Sequence, residues 1–307
     1  MENLIQIFSE LEDPRDNRGK KYKLTEIMLL AVYGILCGYE DFTNMAYYLK
    51  KREEELIKEF GLSNGVPSHD TFSDVFRAID PHKFMELFIR WTKSIMEAKA
   101  DNTEKHIAID GKAIRAAADK VNGGNIPYVV SAFLTGMGIS IGQVKVDDKS
   151  NEIMAIPELL ELIDLENATV TIDAIGTQRK IAEKIIDKKG NYCLQLKKNR
   201  KNLFDDVRDY FEYALNDKTE KENITEYSTL EKSHGRMEKR KYYVSADISF
   251  IDESDKLPGL KSIGMAVLER KTNDNTSLEV HYHLLSSKCE ASEYAKFARA
   301  DRPKTRA

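Results

Sequence analysis

Apolar residues recur at helical spacing from the start of the chain to about residue 95, and then give way to short runs. Leu24 to Cys37 is aliphatic and predicts a helix. Phe42 to Phe60 mixes apolar positions with Lys and Glu, the pattern of one amphipathic helix. Pro67-Ser68-His69-Asp70-Thr71 predicts a turn and a helix start, followed by Phe72, Val75, Phe76 and Ile79 at helical spacing. Asp80-Pro81 ends that helix, and Phe84 to Ala98 predicts another. A short helix, a polar turn and a second helix suit a helix-turn-helix DNA reader and a plain helical bundle equally.

Near residue 105 the pattern changes. Ile107 to Asp110, Tyr128 to Thr135 and Ile139 to Val146 predict three successive strands, the last two joined by a hairpin turn centred on Gly136-Met137-Gly138. A helix over Ile156 to Ile163, a strand over Thr169 to Asp173, a helix over Thr177 to Lys188, a strand over Tyr192 to Leu196 and a helix over Asn202 to Leu215 follow. From about residue 223 strand character returns. Met237 to Ile248, Lys261 to Arg270 and Ser277 to Leu285 predict an antiparallel group, with Lys271-Thr272-Asn273-Asp274-Asn275 as a polar turn. Ala298 to Ala307 is basic, contains Pro and reads as a tail.

Three strands followed by alternating helix and strand is the order of an RNase H-like sheet. The fold class expected is α/β: a mixed RNase H-like sheet with an N-terminal helical domain and a β-rich insertion. The expected domains are 1–100 (helical), 101–222 (core), 223–290 (insertion) and 291–307 (tail).

Two aspartates close apolar runs in the core, in His106-Ile107-Ala108-Ile109-Asp110 and Thr169-Val170-Thr171-Ile172-Asp173. A carboxylate at the end of a buried strand lies at the rim of a sheet. On adjacent strands, Asp110 and Asp173 could bridge two Mg²⁺ or Mn²⁺ ions about 4 Å apart for phosphoryl transfer. Taken singly, Asp110-Gly111 also reads as a hairpin turn and Asp173 as a helix cap.

Composition narrows the setting. Hydrophobic residues make up 41% and charged residues 32% of the 307, and no apolar run is long enough to span a bilayer. The start, Met1-Glu2-Asn3-Leu4, lacks the form of a signal peptide, so a cytoplasmic protein is expected. Cys37, Cys193 and Cys289 have no zinc spacing and form no disulfide framework. The net charge of −4 does not mark a nucleic-acid binder, but basic clusters at Lys197, Lys198, Arg200 and Lys201 and at Lys232, Arg236, Lys239, Arg240 and Lys241 suit phosphate contacts as well as a solvated surface. Glu238, inside the second cluster, is the strongest third carboxylate. It suits a metal ligand less well than a partner that orients Arg236, Lys239 and Arg240, which suit DNA contacts.

Five segments carry a family resemblance: Asp13-Pro14-Arg15-Asp16, Pro67-Ser68-His69-Asp70-Thr71-Phe72, Ile109-Asp110-Gly111-Lys112-Ala113-Ile114-Arg115, Ile172-Asp173-Ala174-Ile175-Gly176-Thr177-Gln178 and His234-Gly235-Arg236-Met237-Glu238-Lys239-Arg240. In this order they resemble the H-repeat-associated insertion-sequence transposases, DDE-type enzymes of bacterial mobile elements. The resemblance implies Mg²⁺- or Mn²⁺-dependent cutting and joining of double-stranded DNA at element ends by a homodimer. Asp110 and Asp173 match the first two acidic residues. It also implies a third, glutamate, within a His-Trp-x-Ile-Glu-Asn segment soon after Tyr294-Ala295-Lys296-Phe297. Here Ala298-Arg299-Ala300-Asp301-Arg302-Pro303 follows instead. A frameshift or truncation near residue 299 is the expectation, with impaired catalysis or an inactive DNA-binding remnant as its consequence.

Overall fold

The computed structural model describes residues 2–16, 18, 20–98, 105–113, 128–146, 152–233, 236–271 and 276–300. The chain divides into two compact units, Met1–Ala100 and Asp101–Ala307.

The described residues of the first unit form a bundle of six α-helices: α1 (Glu2–Phe8), α2 (Leu24–Leu36), α3 (Phe42–Lys51), α4 (Glu53–Phe60), α5 (His69–Ala78) and α6 (Pro81–Ala98). Ile27, Leu30, Leu49, Leu56, Phe72, Val75 and Leu87 are fully buried in one core. Ser68 caps α5 by accepting from the Thr71 amide, which starts the helix where the Pro-Ser turn predicts. The single helix expected over Phe42 to Phe60 is instead two. Lys50 and Lys51 close α3, Glu53, Glu54 and Glu55 open α4, and Arg52 between them leaves helical geometry. Cations at a C-terminus and anions at an N-terminus each complement the helix dipole, so this run of charges stabilises a break. The Arg52 guanidinium holds the joint by donating to the Tyr33 and Tyr48 hydroxyls and to Glu55.

The second unit is built on one nine-stranded sheet. Its strands are β1 (Lys105–Ala113), β2 (Tyr128–Leu134), β3 (Ile139–Val146), β4 (Ala168–Ile172), β5 (Asn191–Leu196), β6 (Ile224–Ser233), β7 (Arg236–Ser245), β8 (Ser262–Lys271) and β9 (Thr276–Leu285). Their spatial order is β3-β2-β1-β4-β5-β9-β8-β7-β6. β1, β4 and β5 are parallel neighbours, with β2 and β3 folded back antiparallel on one side. That is the RNase H-like arrangement expected from the element order. The helices are α7 (Glu152–Leu162), α8 (Arg179–Asp187), α9 (Lys201–Ala214), the short α10 (Lys218–Lys221) and α11 (Ala291–Ala300).

Burial follows position. All five residues of β4 are buried, as a central parallel strand requires, whereas β2 alternates buried and half-buried residues. Gly138, at φ 69°, supplies the left-handed residue that the β2–β3 turn needs. The strands after residue 223 extend the core sheet: β9 pairs antiparallel with β5, and β8, β7 and β6 continue outward. β6 was not among the strands expected. It is the edge strand, and Glu226, Tyr227, Ser228 and Leu230 on it are all exposed, so it carries little hydrophobic pattern.

Several boundaries differ further from expectation: α6 starts at Pro81 instead of Phe84, and β7 stops at Ser245, short of Ile248. α7 begins at Glu152, four residues before Ile156, which leaves Pro157 inside the helix. Residues 298–300, read as tail, complete α11, whose Tyr294 and Phe297 are buried in a cluster with Tyr242, Val244 and Leu285. Residues 301–307 and the turn at 272–275 lie outside the described residues.

Lys188 closes α7 from outside. Its ammonium donates to the carbonyls of Leu160, Glu161 and Ile163 at 2.8, 2.6 and 2.8 Å, so three acceptors at a helix C-terminus share one cation. Lys188→Met is expected to destabilise the second unit by about 1–2 kcal/mol, read from urea melts. An unchanged midpoint would mean that water satisfies those carbonyls equally well.

Candidate active site

Strand pairing brings the two aspartates together. β1 and β4 run parallel with Ile109 opposite Ile172, so Asp110 and Asp173 are the next residues along each strand. Asp110-Gly111 is not a turn: β1 continues through both residues, pairing Asp110 with Ser131 and Gly111 with Val130 of β2. Asp173 leaves β4 and caps a short 3₁₀ turn over Ala174–Gly176, its Oδ1 accepting from the Ile175 amide at 3.0 Å. The apolar residues before each aspartate are buried, and both aspartates are exposed at the rim. Protein around the Asp110 carboxyl partly strips it of water. That desolvation, and then the like charge of Asp173, hold it above the ordinary carboxylate range.

Polar contacts beneath the rim tie these strands to their neighbours. His106 is buried. Its Nε2 lies 3.0 Å from the Thr171 hydroxyl on β4 and its Nδ1 3.1 Å from the Thr135 hydroxyl, and Phe297 of α11 meets the ring edge to face. Thr177 donates to the Gln195 carbonyl at 2.6 Å, and Asn199 donates to the Ala174 carbonyl at 2.9 Å. The second bond fastens the basic segment after β5 beside the Asp173 turn. Lys197 and Lys198 are exposed there. Arg200 turns aside to the Asp255 carbonyl, 3.2 Å away, and its carboxylate, 3.7 Å away.

Glu238 is not brought to this pair. It stands on β7, four strands from β4 across the sheet, roughly 19 Å at ordinary strand spacing. Ile172 is level with Ser245 of β7 through Leu194, Leu284 and Ile263, and Glu238 is seven residues further along. It is engaged in ion pairs with Arg240 and with Arg270, the latter at 3.3 Å, while Arg240 also reaches Glu231 at 3.1 Å. This ladder across β6, β7 and β8 orients the arginines. Lys239, on the opposite face of β7 by strand alternation, is exposed. Arg236 begins β7, and His234 and Gly235 lie outside the described residues.

A different carboxylate, absent from the sequence reading, does lie close to β1. Glu152, first residue of α7, is 6% exposed and accepts from the Tyr128 hydroxyl at 3.1 Å. Among the described residues no three His, Cys, Asp or Glu side chains form a cluster that could hold a metal ion. His281 and His283, which share a face of β9, are partnered separately, His283 with the Tyr294 hydroxyl and His281 with Gln195 and Glu279.

A family model described as "Transposase DDE domain" matches residues 101–291, and one described as "DDE_Tnp_1-associated" matches residues 5–92. The chain belongs to the DDE transposase family. It is 35% identical over 304 residues to "Putative transposase YncI" of Escherichia coli O157:H7, covering 98% of this chain and 76% of that protein. It is 33% identical over 302 residues to "H repeat-associated putative transposase YhhI" of Escherichia coli K12, covering 96% and 78%. Among solved structures, a piggyBac transposase synaptic complex with hairpin DNA aligns with 97% of this chain and 61% of that one, at a TM-score of 0.36 and 10% identity. At that similarity no residue of one chain is placed on the other. In this DDE transposase the matched domain contains both rim aspartates and the whole sheet. Among its described residues no helix is long and apolar enough to cross a membrane.

Proposed function

We propose that this transposase cuts and joins double-stranded DNA at the ends of a bacterial insertion sequence, using Asp110 and Asp173 as its metal-holding carboxylates. The observation that carries this reading is the register of β1 and β4, which sets two carboxylates side by side at the rim of an RNase H-like sheet. Their chemistry fits a hard divalent cation: both are oxygen donors, and Asp110 is held above its ordinary range partly by a like charge that a cation would offset. Mg²⁺ or Mn²⁺ held there would supply Lewis-acid activation of the attacking oxygen and neutralise charge on the phosphate. Lys197 and Lys198, exposed beside the Asp173 turn, would hold the backbone of the cleaved strand. Lys239 would meet flanking DNA from the outer sheet, and Arg236, at the start of the same strand, would add a phosphate contact. Arg200, half-buried, would join the DNA contacts by giving up its bond to the Asp255 carbonyl. We assign Arg240 and Glu238 to the ion-pair ladder. The working form is a homodimer on paired ends in the cytoplasm.

The test is a nicking assay on duplex DNA carrying the sequences that flank the gene, with Mg²⁺ or Mn²⁺ and a parallel gel shift. Expected is metal-dependent nicking at the element ends. Cleavage independent of both aspartates would overturn the reading. Specific binding without nicking would favour the alternative, a DNA-binding remnant; that alternative has in its support the want of a third clustered carboxylate among the described residues.

A further inference from the structure

Gly111 directly follows Asp110, and the space its missing side chain leaves is filled. A Cβ at Gly111 would lie 2.3 Å from Oε1 and 2.6 Å from Cδ of Glu152, and 2.7 Å from a ring carbon of Tyr128. Successive strand residues point to opposite faces, so the Glu152 carboxylate lies behind β1, on the face away from the Asp110 side chain. Three elements meet there. Gly111 belongs to β1, Tyr128 opens β2 opposite Ala113, and Glu152 opens α7. The hydroxyl of Tyr128, donating to Glu152, ties the last two together behind the first.

A carboxylate is a costly way to fill such a space. Burying one requires hydrogen bonds or a favourable dipole, and an apolar side chain of similar volume would pack without that cost. The start of α7 supplies the dipole and Tyr128 supplies a hydrogen bond. Burial, and then Glu152 itself, push the Tyr128 hydroxyl up to about 12, with Asp110 and Asp173 adding to the shift. The Tyr128–Glu152 pair therefore sits within electrostatic reach of both rim carboxylates.

We propose that Glu152 is a positioning residue: with Tyr128 it clamps β1 at Gly111 and so fixes where the Asp110 carboxylate stands relative to Asp173. This rests on the reading of Asp110 and Asp173 as the metal-holding pair, but the clamp itself is a matter of backbone position. In this role Glu152 acts through Asp110.

The test uses the full chain without DNA. Mn²⁺ binding is measured by calorimetry for the wild type, Glu152→Ala, Glu152→Gln and Tyr128→Phe, and crystal structures of the wild type and Glu152→Ala are compared. Removing a supporting partner of a metal ligand typically weakens affinity about 10–100-fold, and that loss is expected for Glu152→Ala. Tyr128→Phe should show a smaller loss. Glu152→Gln keeps the volume and an acceptor for Tyr128, and should restore most of the affinity. In the crystal, Asp110 of Glu152→Ala should move by about 1 Å or more relative to Asp173, a misplacement large enough to matter for catalysis. Wild-type affinity in Glu152→Ala together with an unmoved Asp110 would overturn the proposal, even if the melting temperature falls. A wild type that binds no Mn²⁺ would instead sink the metal-holding pair, and the crystal comparison would still decide the clamp. Should Glu152→Ala fail to fold, Tyr128→Phe, which loses only a hydroxyl, takes its place in both measurements.

Discussion

Asp110→Asn is expected to lower metal-dependent nicking about 10³-fold or more while raising the stability of the metal-free protein. The first effect follows from the proposed role: an amide is a neutral, poorer donor for a hard cation, and losing an essential group of a catalytic unit typically costs this much. The second follows from the raised carboxyl of Asp110. A carboxyl raised in the folded state binds its proton more tightly there than in the unfolded chain. Its ionised form therefore costs stability at neutral pH, and the cost fades as pH falls through the raised value towards the unfolded one, near 4. Melts without metal should show Asp110→Asn above wild type at pH 7, with the gap closing near pH 4. Asp173→Asn should lose nicking to the same degree. Full nicking in either variant would remove that residue from the site, and a lower melting temperature for Asp110→Asn at pH 7 would remove the charge argument.

The largest stability effect is expected from Phe297→Ala, at about 3–5 kcal/mol, the usual range for deleting a buried aromatic side chain. Phe297 is 1% exposed on α11 and meets the His106 ring with centroids 5.3 Å apart. His106 spans β1 and β4 through Thr171, two residues before Asp173, so the cavity would open under both strands that lead to the aspartates. Nicking should fall along with stability. Arg299→Ala, next on the helix but exposed, should cost no more than about 1 kcal/mol, because its pair with Glu231 is at the surface. Urea unfolding measures both. A cost below about 1 kcal/mol for Phe297→Ala would mean that α11 is not an integral part of the core.

Much of the fold was legible because periodicity records burial. β4 reads as a strand from five consecutive apolar or Thr residues, and all five are buried. α5 reads from a capping Ser and the spacing of Phe72, Val75 and Phe76. Where the reading missed, a local signal had competed with a tertiary one. The helix expected from Ile156 in fact runs back to Glu152, with Pro157 inside it. β6 escaped because an edge strand buries too little to leave a hydrophobic pattern. The break at Arg52 was legible after all, in the Lys-Lys-Arg-Glu-Glu-Glu run, but the continuous apolar stripe outweighed it.

The sequence by itself determined the two aspartates, the apolar runs they follow and the family to which the chain belongs, because these depend on residues near one another along the chain and on their order. Tertiary structure alone decided which carboxylates stand side by side. Asp110 and Asp173 are 63 residues apart in the sequence and adjacent in register. Glu238, set among basic residues that made it look like a partner for DNA or metal, lies four strands away in an ion-pair ladder. Glu152, which the sequence did not single out, sits against Gly111. The reason is physical. Hydrophobic period dictates which face of an element is buried, but the sheet's hydrogen-bond register and the return path of each helix dictate which buried or rim groups meet, and neither is written in any single segment.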